Sequence, residues 1–163
     1  MRHAKSDWEA DYLSDHDRPL NDRGMRSAQL MGRVLAARGE VPQVVISSTA
    51  VRARTTAELA IEAGSWGSQL LVARALYEAG PIEALDVAAQ APDVQRLMLV
   101  GHQPTWSMLV AHLTEERVEM KTATVAVVEC QLDSWATVTG AHGTLSHVLH
   151  PRSLAGSEWD RGL

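Results

Sequence analysis

Short apolar runs alternate with segments of helical periodicity up to about residue 113, and this alternation restricts the fold more than any other feature. Three brief, continuous runs rich in branched residues, typical of strands buried on both faces, lie at 41–46, 70–72 and 96–100. Apolar residues at helical spacing predict helices over 22–38, 50–63, 82–90 and 104–113. Helices that alternate with buried strands predict an α/β fold with a parallel sheet.

After residue 113 strand follows strand. Apolar, branched residues predict strands over 122–130, 135–139 and 145–149, an arrangement typical of antiparallel pairing. We therefore expect a three-layer α/β sandwich with a mostly parallel central sheet, helices on both faces and an antiparallel addition. No internal repeat or linker divides the chain, so residues 1–163 are expected to form a single domain. The tail from about residue 151 is expected to be loosely ordered.

Composition excludes several classes of protein. The chain is 45% hydrophobic and 21% charged, which are values of a globular protein, and its net charge is −5. Its basic residues are scattered, whereas nucleic-acid binding usually needs a basic stripe. No apolar run approaches the roughly 18 residues of a membrane helix, and no signal-peptide pattern opens the sequence. We expect a cytoplasmic protein with neither nucleic acid nor membrane as a partner.

Two polar segments follow predicted strands, at the places where ligands bind in open α/β sheets. The first is 47–54, which contains Arg52, and the second is Gly101-His102-Gln103-Pro104. Each segment also opens a predicted helix, so backbone N–H groups and the positive end of the helix dipole point toward the same region. Helix N-termini combined with arginine favour an anion, and phosphate is the obvious choice.

The dipeptide Arg2-His3 supplies a nucleophile for such a site. A neutral imidazole that is held in place can attack phosphorus. Phosphoryl transfer also needs positive charge around the phosphoryl oxygens, which Arg2, Arg52 and His102 would provide. Arg54 lies about 200° around the helix from Arg52, so we expect it to be solvated or paired with a carboxylate.

These segments resemble the motifs of the histidine phosphatase superfamily, which has the phosphoglycerate mutase-like fold. Arg2-His3-Ala4 resembles its Arg-His-Gly signature, 47–57 resembles its second motif, and 101–104 resembles its third. The stretch 17–24 is similar to one found in the SixA-like phosphohistidine phosphatases. The resemblance extends from residue 1 to about 150, with the motifs in the family order. Alanine replaces glycine at position 4, and threonine replaces proline at position 49 and glutamine at position 55.

The resemblance implies a phosphatase with His3 as the nucleophile, which becomes phosphohistidine and is then hydrolysed by water. It implies that Arg2 and Arg52 bind the phosphoryl oxygens, that His102 completes the pocket, and that neither a metal nor another cofactor is needed. The SixA-like branch implies a protein that carries phosphohistidine as the substrate. Two alternatives remain: a phosphatase of a small phosphorylated metabolite or sugar, and a phosphate-binding module with degraded activity.

The general acid is the least defined role. Glu78, in the loop after the second predicted strand, and Glu83, in the first turn of a predicted helix, are the candidates; a third alternative is that no dedicated acid exists. The third would favour phosphohistidine, because a leaving imidazole departs more readily than an alkoxide. Ser6 and Arg18 are further candidates for binding substrate. Asp15-His16-Asp17 could assist as a loop over the pocket, but we expect it to form a solvated acidic loop.

The start of the chain departs most from the family pattern. The family has a buried strand before Arg-His in the middle of the sheet, and here only Met1 precedes it. A sheet without that strand would expose two strand edges and lose apolar burial. We expect that the full protein begins upstream of Met1. If residues 1–163 are the whole molecule, we expect low stability or aggregation.

Overall fold

Strand β1 (Val44–Ser48) lies at the centre of a parallel sheet in the computed structural model, which describes residues 1–156. It pairs on one side with β2 (Gln69–Ala73) and on the other with β3 (Leu97–Val100). The principal helices of this α/β core are α1 (Asp22–Ala37), α2 (Val51–Ala63), α3 (Pro81–Ala88) and α4 (Thr105–Thr114). The prediction of alternating helices and parallel strands is therefore confirmed, with shifts of a few residues at the element ends.

Consecutive side chains of β1 enter two different hydrophobic cores, because strand side chains alternate between faces. Val45 packs in the core that contains residues of α1 and α2, whereas Val44 and Ile46 pack in the core that contains residues of α3 and α4. All of β1 is buried, as a central parallel strand requires. The helices thus cover both faces of the sheet, and the expected three-layer architecture is confirmed.

The antiparallel addition is the pair formed by β4 (Val125–Cys130) and β5 (Gly143–Leu149). The expected strand over 135–139 is wrong, because Trp135–Gly140 forms a 3-10 helix. Its start is fixed by Ser134, whose hydroxyl accepts the Ala136 N–H, and by Trp135, whose indole N–H donates to the Val94 carbonyl over 2.7 Å. These side-chain anchors outweigh the strand propensity of the segment.

The start of the tail is also more ordered than expected. Pro151–Leu154 forms a short helix, α5, that contacts α1, and Leu154 packs against the core on that side. Residues 157–163 of the predicted loose tail lie outside the described residues.

A groove separates β3 from β4, and within residues 1–156 no strand pairs with both of them along its length. Residues 1–3 occupy only one end of it, where the Arg2 N–H donates to Thr124 and the His3 N–H donates to Gly101. The rest of the groove is a cavity of about 620 Å³. Its lining is largely apolar and includes Met1, Leu35, Met98, Leu109, Val125 and Val127. The resemblance described above implies a central strand at this place in the sheet.

Candidate active site

The backbone of His3 is held on both sides. Its N–H donates to the Gly101 carbonyl over 2.9 Å, and its carbonyl accepts the Ala123 N–H over 3.1 Å. The next residue is tied to α2, because the Ala4 N–H donates to the Thr56 hydroxyl, which in turn donates to the Arg52 carbonyl. His3 therefore has a fixed position relative to the ends of β1 and β3.

The side chain of His3 is buried, with 7% of its surface exposed. Its Nδ1 lies 2.7 Å from the Ala4 carbonyl oxygen, which can only accept, so Nδ1 carries the ring proton and donates it. Burial, together with the nearby His102, Arg52 and Arg2, lowers the pKa of His3 to about 3, against the opposing effect of the hydrogen bond to Ala4. At neutral pH the ring is uncharged, and Nε2 has a free lone pair.

His102 lies just beyond β3, and its ring centroid is 5.2 Å from that of His3. Its Nε2 is 2.8 Å from the Ser48 hydroxyl at the end of β1. Burial and the charge of Arg52 lower the pKa of His102 to about 4, so it is also neutral at pH 7. Its Nδ1 is buried and has no hydrogen-bond partner in the described part of the chain.

Arg2 and Arg52 bring two permanent positive charges to the same pocket. Arg2 Nη1 donates to the Met120 carbonyl over 3.0 Å. Arg52 Nη1 donates to the Asp15 carbonyl over 2.6 Å, and its Nη2 donates to the Asp15 carboxylate over 3.0 Å. The Nε atoms of both arginines are buried without a partner among residues 1–156. These two Nε atoms and His102 Nδ1 are thus three buried nitrogens without a hydrogen-bond partner in the described part of the chain.

Tyr77 contacts Asp15, His16 and His102 beside this pocket, and we call Asp15, His16 and Tyr77 together the mouth. Asp15 accepts from Arg18 and Arg52, and its Oδ2 also accepts the Tyr77 hydroxyl over 2.8 Å. These donors lower the pKa of Asp15 to about 2, against the opposing effect of burial. The side chain of Asp15 is 52% exposed, as expected for a solvated loop, and it also pairs with Arg18 and Arg52 beside the pocket.

The remaining candidates occupy different surroundings. Ser6 is buried, and its hydroxyl accepts from Arg18 Nη1. Arg18 is likewise buried, with its guanidinium 3.6 Å from the centroid of the Trp8 ring. Glu78 is exposed, and it is the preceding residue, Tyr77, whose ring lies 5.7 Å from that of His102. Arg54 is exposed and pairs with Glu58 over 3.4 Å, as expected for a residue that faces away from the pocket.

Neither a metal site nor a membrane span is found in the described part of the chain. No group of three or more histidine, cysteine or acidic side chains there is arranged to hold a metal ion. None of the helices has the length and apolar character required to cross a bilayer.

Comparison with protein-family models identifies the family to which the chain belongs. The model of the histidine phosphatase superfamily (branch 1) matches residues 1–94, which carry His3, Arg2 and Arg52. The chain belongs to the histidine phosphatase superfamily. An uncharacterized protein of Mycobacterium tuberculosis is 42% identical over 111 residues, covering 67% of this chain and 66% of that protein. The chain spans 66% of the length of each of the first curated relatives it matches.

Solved structures from the histidine phosphatase superfamily share this fold over nearly the whole chain. A candidate phosphohistidine phosphatase SixA from Nakamurella multipartitia has a TM-score of 0.79 and 31% identity, with 93% of each chain covered. A corresponding candidate from Agrobacterium tumefaciens has a TM-score of 0.75 and 27% identity, and it covers 92% of this chain and 94% of that one. The resemblance to the SixA-like branch is therefore supported by structure as well as by motifs.

Burial of neutral His3 makes this histidine phosphatase fold sensitive to acid. Its pKa is about 3 in the folded chain and near 6.5 when exposed, so between these values the unfolded state binds more protons. We expect the free energy of unfolding to fall as pH drops from 6.5, by up to about 1.4 kcal/mol per pH unit for this group. Urea unfolding at pH 7 and pH 4.5 should show a smaller loss for His3→Gln than for wild type. The exposed His112 on α4 offers the control His112→Gln, and an equal loss in all three proteins would contradict the expectation.

Proposed function

We propose that this protein is a phosphatase that removes the phosphoryl group from phosphohistidine in another protein, through a phosphorylated His3. The observation that carries the proposal is the set of unpartnered nitrogens on Arg2, Arg52 and His102 around the uncharged His3. Buried donors are rarely left without partners unless they serve a ligand. A phosphoryl group would satisfy them, since it offers oxygens as acceptors on several sides.

The reaction runs in two displacements. In the first, the Nε2 lone pair of His3 forms a bond to phosphorus, and the bond from phosphorus to the substrate nitrogen breaks, with its electron pair leaving on that nitrogen. In the second, a water oxygen bonds to phosphorus, the bond to Nε2 breaks, and the water proton is lost to solvent. Donation from Nδ1 to Ala4 keeps Nε2 unprotonated and directed in one orientation, which removes the need for a separate base in the first step.

Positive charge and hydrogen-bond donors stabilise the transferred group. Arg2 and Arg52 are permanently charged and donate through their free Nε atoms. We infer that the Ser48 hydroxyl, which accepts the Ala50 N–H, donates its own proton to His102 Nε2. That arrangement places the His102 proton on Nδ1, the unpartnered atom, as a third donor to the phosphoryl oxygens.

Phosphohistidine is favoured as the substrate because Asp15, the carboxyl group at the mouth, is a poor proton donor for a strongly basic leaving group. Asp15 is ionised at neutral pH, since its neighbours lower its pKa to about 2. Glu78 is exposed and remains only a predicted acid. Imidazole needs less help to leave than an alkoxide does, and the 31% identical SixA neighbour supports the same substrate class.

A comparison of substrates tests this proposal. The purified protein is mixed with a phosphohistidine-carrying protein domain, with p-nitrophenyl phosphate and with a sugar phosphate, and phosphate release is followed. We expect kcat/KM for the phosphohistidine domain to exceed that for the sugar phosphate by at least about 100-fold, equivalent to about 2.7 kcal/mol. A preference for the sugar phosphate would indicate a metabolite phosphatase. Binding of inorganic phosphate without turnover of any substrate would indicate a binding module.

A further inference from the structure

The carboxylate of Asp15 shares Arg52 with the proposed phosphoryl site. Its Oδ2 accepts from Arg52 Nη2 over 3.0 Å, while Oδ1 accepts from both Nε and Nη2 of Arg18 over 3.3 and 3.0 Å. The Arg52 Nε atom beside Nη2 has no partner. A planar guanidinium binds a phosphoryl group best through two neighbouring N–H groups. Because Nη2 carries two N–H groups, Arg52 can bind a phosphoryl group through Nε and Nη2 while Nη2 still donates to Asp15 Oδ2.

The Asp15 carboxylate therefore stays beside the bound phosphoryl group. Arg18 is buried and holds Oδ1 through two hydrogen bonds, which fixes the orientation of the carboxylate. Its Oδ2 also accepts the neutral hydroxyl of Tyr77, and the side chain is 52% exposed to solvent. A hydrogen bond between a carboxylate and a charged or strongly polarised N–H is stronger than one with a neutral hydroxyl, so an N–H donor of the substrate can replace Tyr77. The mouth thus offers an acceptor next to the bound phosphoryl group.

The leaving group of the substrate reaches the same place. Attack by His3 is in line with departure, so the leaving group lies on the side of the phosphorus opposite Nε2. His3 is buried, with 7% of its surface exposed, and a residue of another protein can approach only from the solvent side. On that side lie Asp15, whose side chain is 52% exposed, and Tyr77.

We propose that Asp15 Oδ2 accepts a hydrogen bond from the unphosphorylated ring nitrogen of the substrate's phosphohistidine, and that Asp15 thereby selects leaving groups that carry an N–H. The inference rests on the proposed function. When that ring nitrogen is protonated, the bond from phosphorus to the other nitrogen breaks with its electron pair going to the ring. The product is neutral imidazole, and no proton has to be delivered to the leaving nitrogen. Asp15 favours this protonated form by its charge.

Phosphate esters gain nothing from the same carboxylate. Their leaving oxygen becomes more negative as the bond to phosphorus breaks, and it lacks a hydrogen to donate. Asp15 and a developing phenolate or alkoxide would repel each other at close range. One residue therefore separates the two substrate classes by raising the rate for phosphohistidine and lowering it for esters.

The variant Asp15→Asn tests the proposal, because it keeps the size of the side chain and removes the charge. We measure kcat/KM for a phosphohistidine-carrying domain and for p-nitrophenyl phosphate, and we expect the ratio of the first to the second to fall at least tenfold. Asp17→Asn, a neighbouring exposed carboxylate that does not contact Arg52, is the matched control and should leave the ratio as it is in wild type. Equal changes for both substrates in Asp15→Asn would assign it only a role in holding or blocking Arg52, and would overturn the proposal.

A second measurement does not depend on the folding of that variant. The wild-type protein is titrated with orthovanadate at pH 6 by calorimetry, with and without imidazole, which is protonated there. We expect imidazole to lower the dissociation constant of orthovanadate at least threefold, and no change would count against Asp15 as an acceptor. A wild-type protein that hydrolyses p-nitrophenyl phosphate but not the phosphohistidine domain would refute the proposed function. Activity on both, with an unchanged ratio in Asp15→Asn, would refute the role of Asp15 alone.

Discussion

Replacement of His3 by alanine is expected to reduce turnover of every substrate by at least about 10⁴-fold, because loss of the nucleophile removes the covalent route. Nε2 is the atom that forms the bond to phosphorus, and the other unpartnered ring nitrogen in the described pocket is Nδ1 of His102. His102 cannot substitute for it if its Nδ1 carries the proton, as the contact with Ser48 indicates. Phosphate release from a phosphohistidine domain and from p-nitrophenyl phosphate provides the measurement.

The control for this variant is His112→Ala, which changes an exposed histidine on α4 and should retain wild-type turnover. Thermal unfolding of His3→Ala shows whether the cavity left by the ring has destabilised the fold. Brief incubation of wild type with substrate, followed by denaturation in alkali, should trap one phosphoryl group on the peptide that contains His3. Turnover by a folded His3→Ala protein within tenfold of wild type would remove His3 from the nucleophile role.

The position of the principal site residues could be predicted from the sequence because parallel strands end at one edge of a sheet. Ser48 at the end of β1 and His102 just beyond β3 are neighbours for this reason, and Arg52 enters the pocket from the first turn of α2. Their proximity follows from topology, and topology follows from the alternation of apolar runs and helices. The sequence pattern is sufficient to predict the positions of such residues, because the ends of strands and helices determine where they lie.

The role of Asp15 could not be found in the same way. It belongs to a polar, acidic stretch whose composition is typical of a solvated loop. The loop is closed by the pairing of Ser6 with Leu20, and this closure brings Asp15 back to Arg52, which is 37 residues away in the chain. Nothing in the local sequence records the path of that loop. The proton position on His3 depends similarly on the carbonyl of Ala4, a backbone contact that composition does not reveal.

Glu78 and Tyr77 illustrate a limit of another kind. Both lie in the loop after β2, and the chemistry of a carboxylate made Glu78 the natural candidate for an acid. The 3-10 turn Arg74–Leu76 buries Leu76 and directs the next side chain, Tyr77, toward His102 and Asp15. Which of two consecutive loop residues faces a site is decided by the turn geometry, and a single sequence contains no periodic signal for that choice.

We propose that the groove between β3 and β4 accepts one additional strand, and that filling it stabilises the fold. The backbone at its occupied end already defines the pairing. The Met1 amine donates to the Leu99 carbonyl, and the Gly101 N–H donates to the Met1 carbonyl, in a parallel arrangement with β3. On the other side the Arg2 N–H donates to the carbonyl of Thr124, the residue before β4. The Ala123 N–H donates to the His3 carbonyl, so residues 2–3 run antiparallel to residues 123–124. A strand that continued from Met1 would therefore be parallel to β3 and antiparallel to β4.

An extension of about six apolar residues before Met1 should raise the melting temperature by roughly 10 °C or more, since each buried side chain contributes about 1.5–3 kcal/mol before the loss of chain entropy. It would fill a cavity of about 620 Å³ and turn the buried Met1 amine, whose pKa burial lowers to about 5, into an amide. That amine destabilises the fold as pH falls from 8 to 5, because the unfolded state binds its proton more readily, and the extended protein should lose this part of the pH dependence.

An extension of equal length made of glycine and serine is the control, because it supplies the backbone without apolar side chains. Equal melting temperatures for the apolar extension and this control would show that the groove does not accept a buried strand.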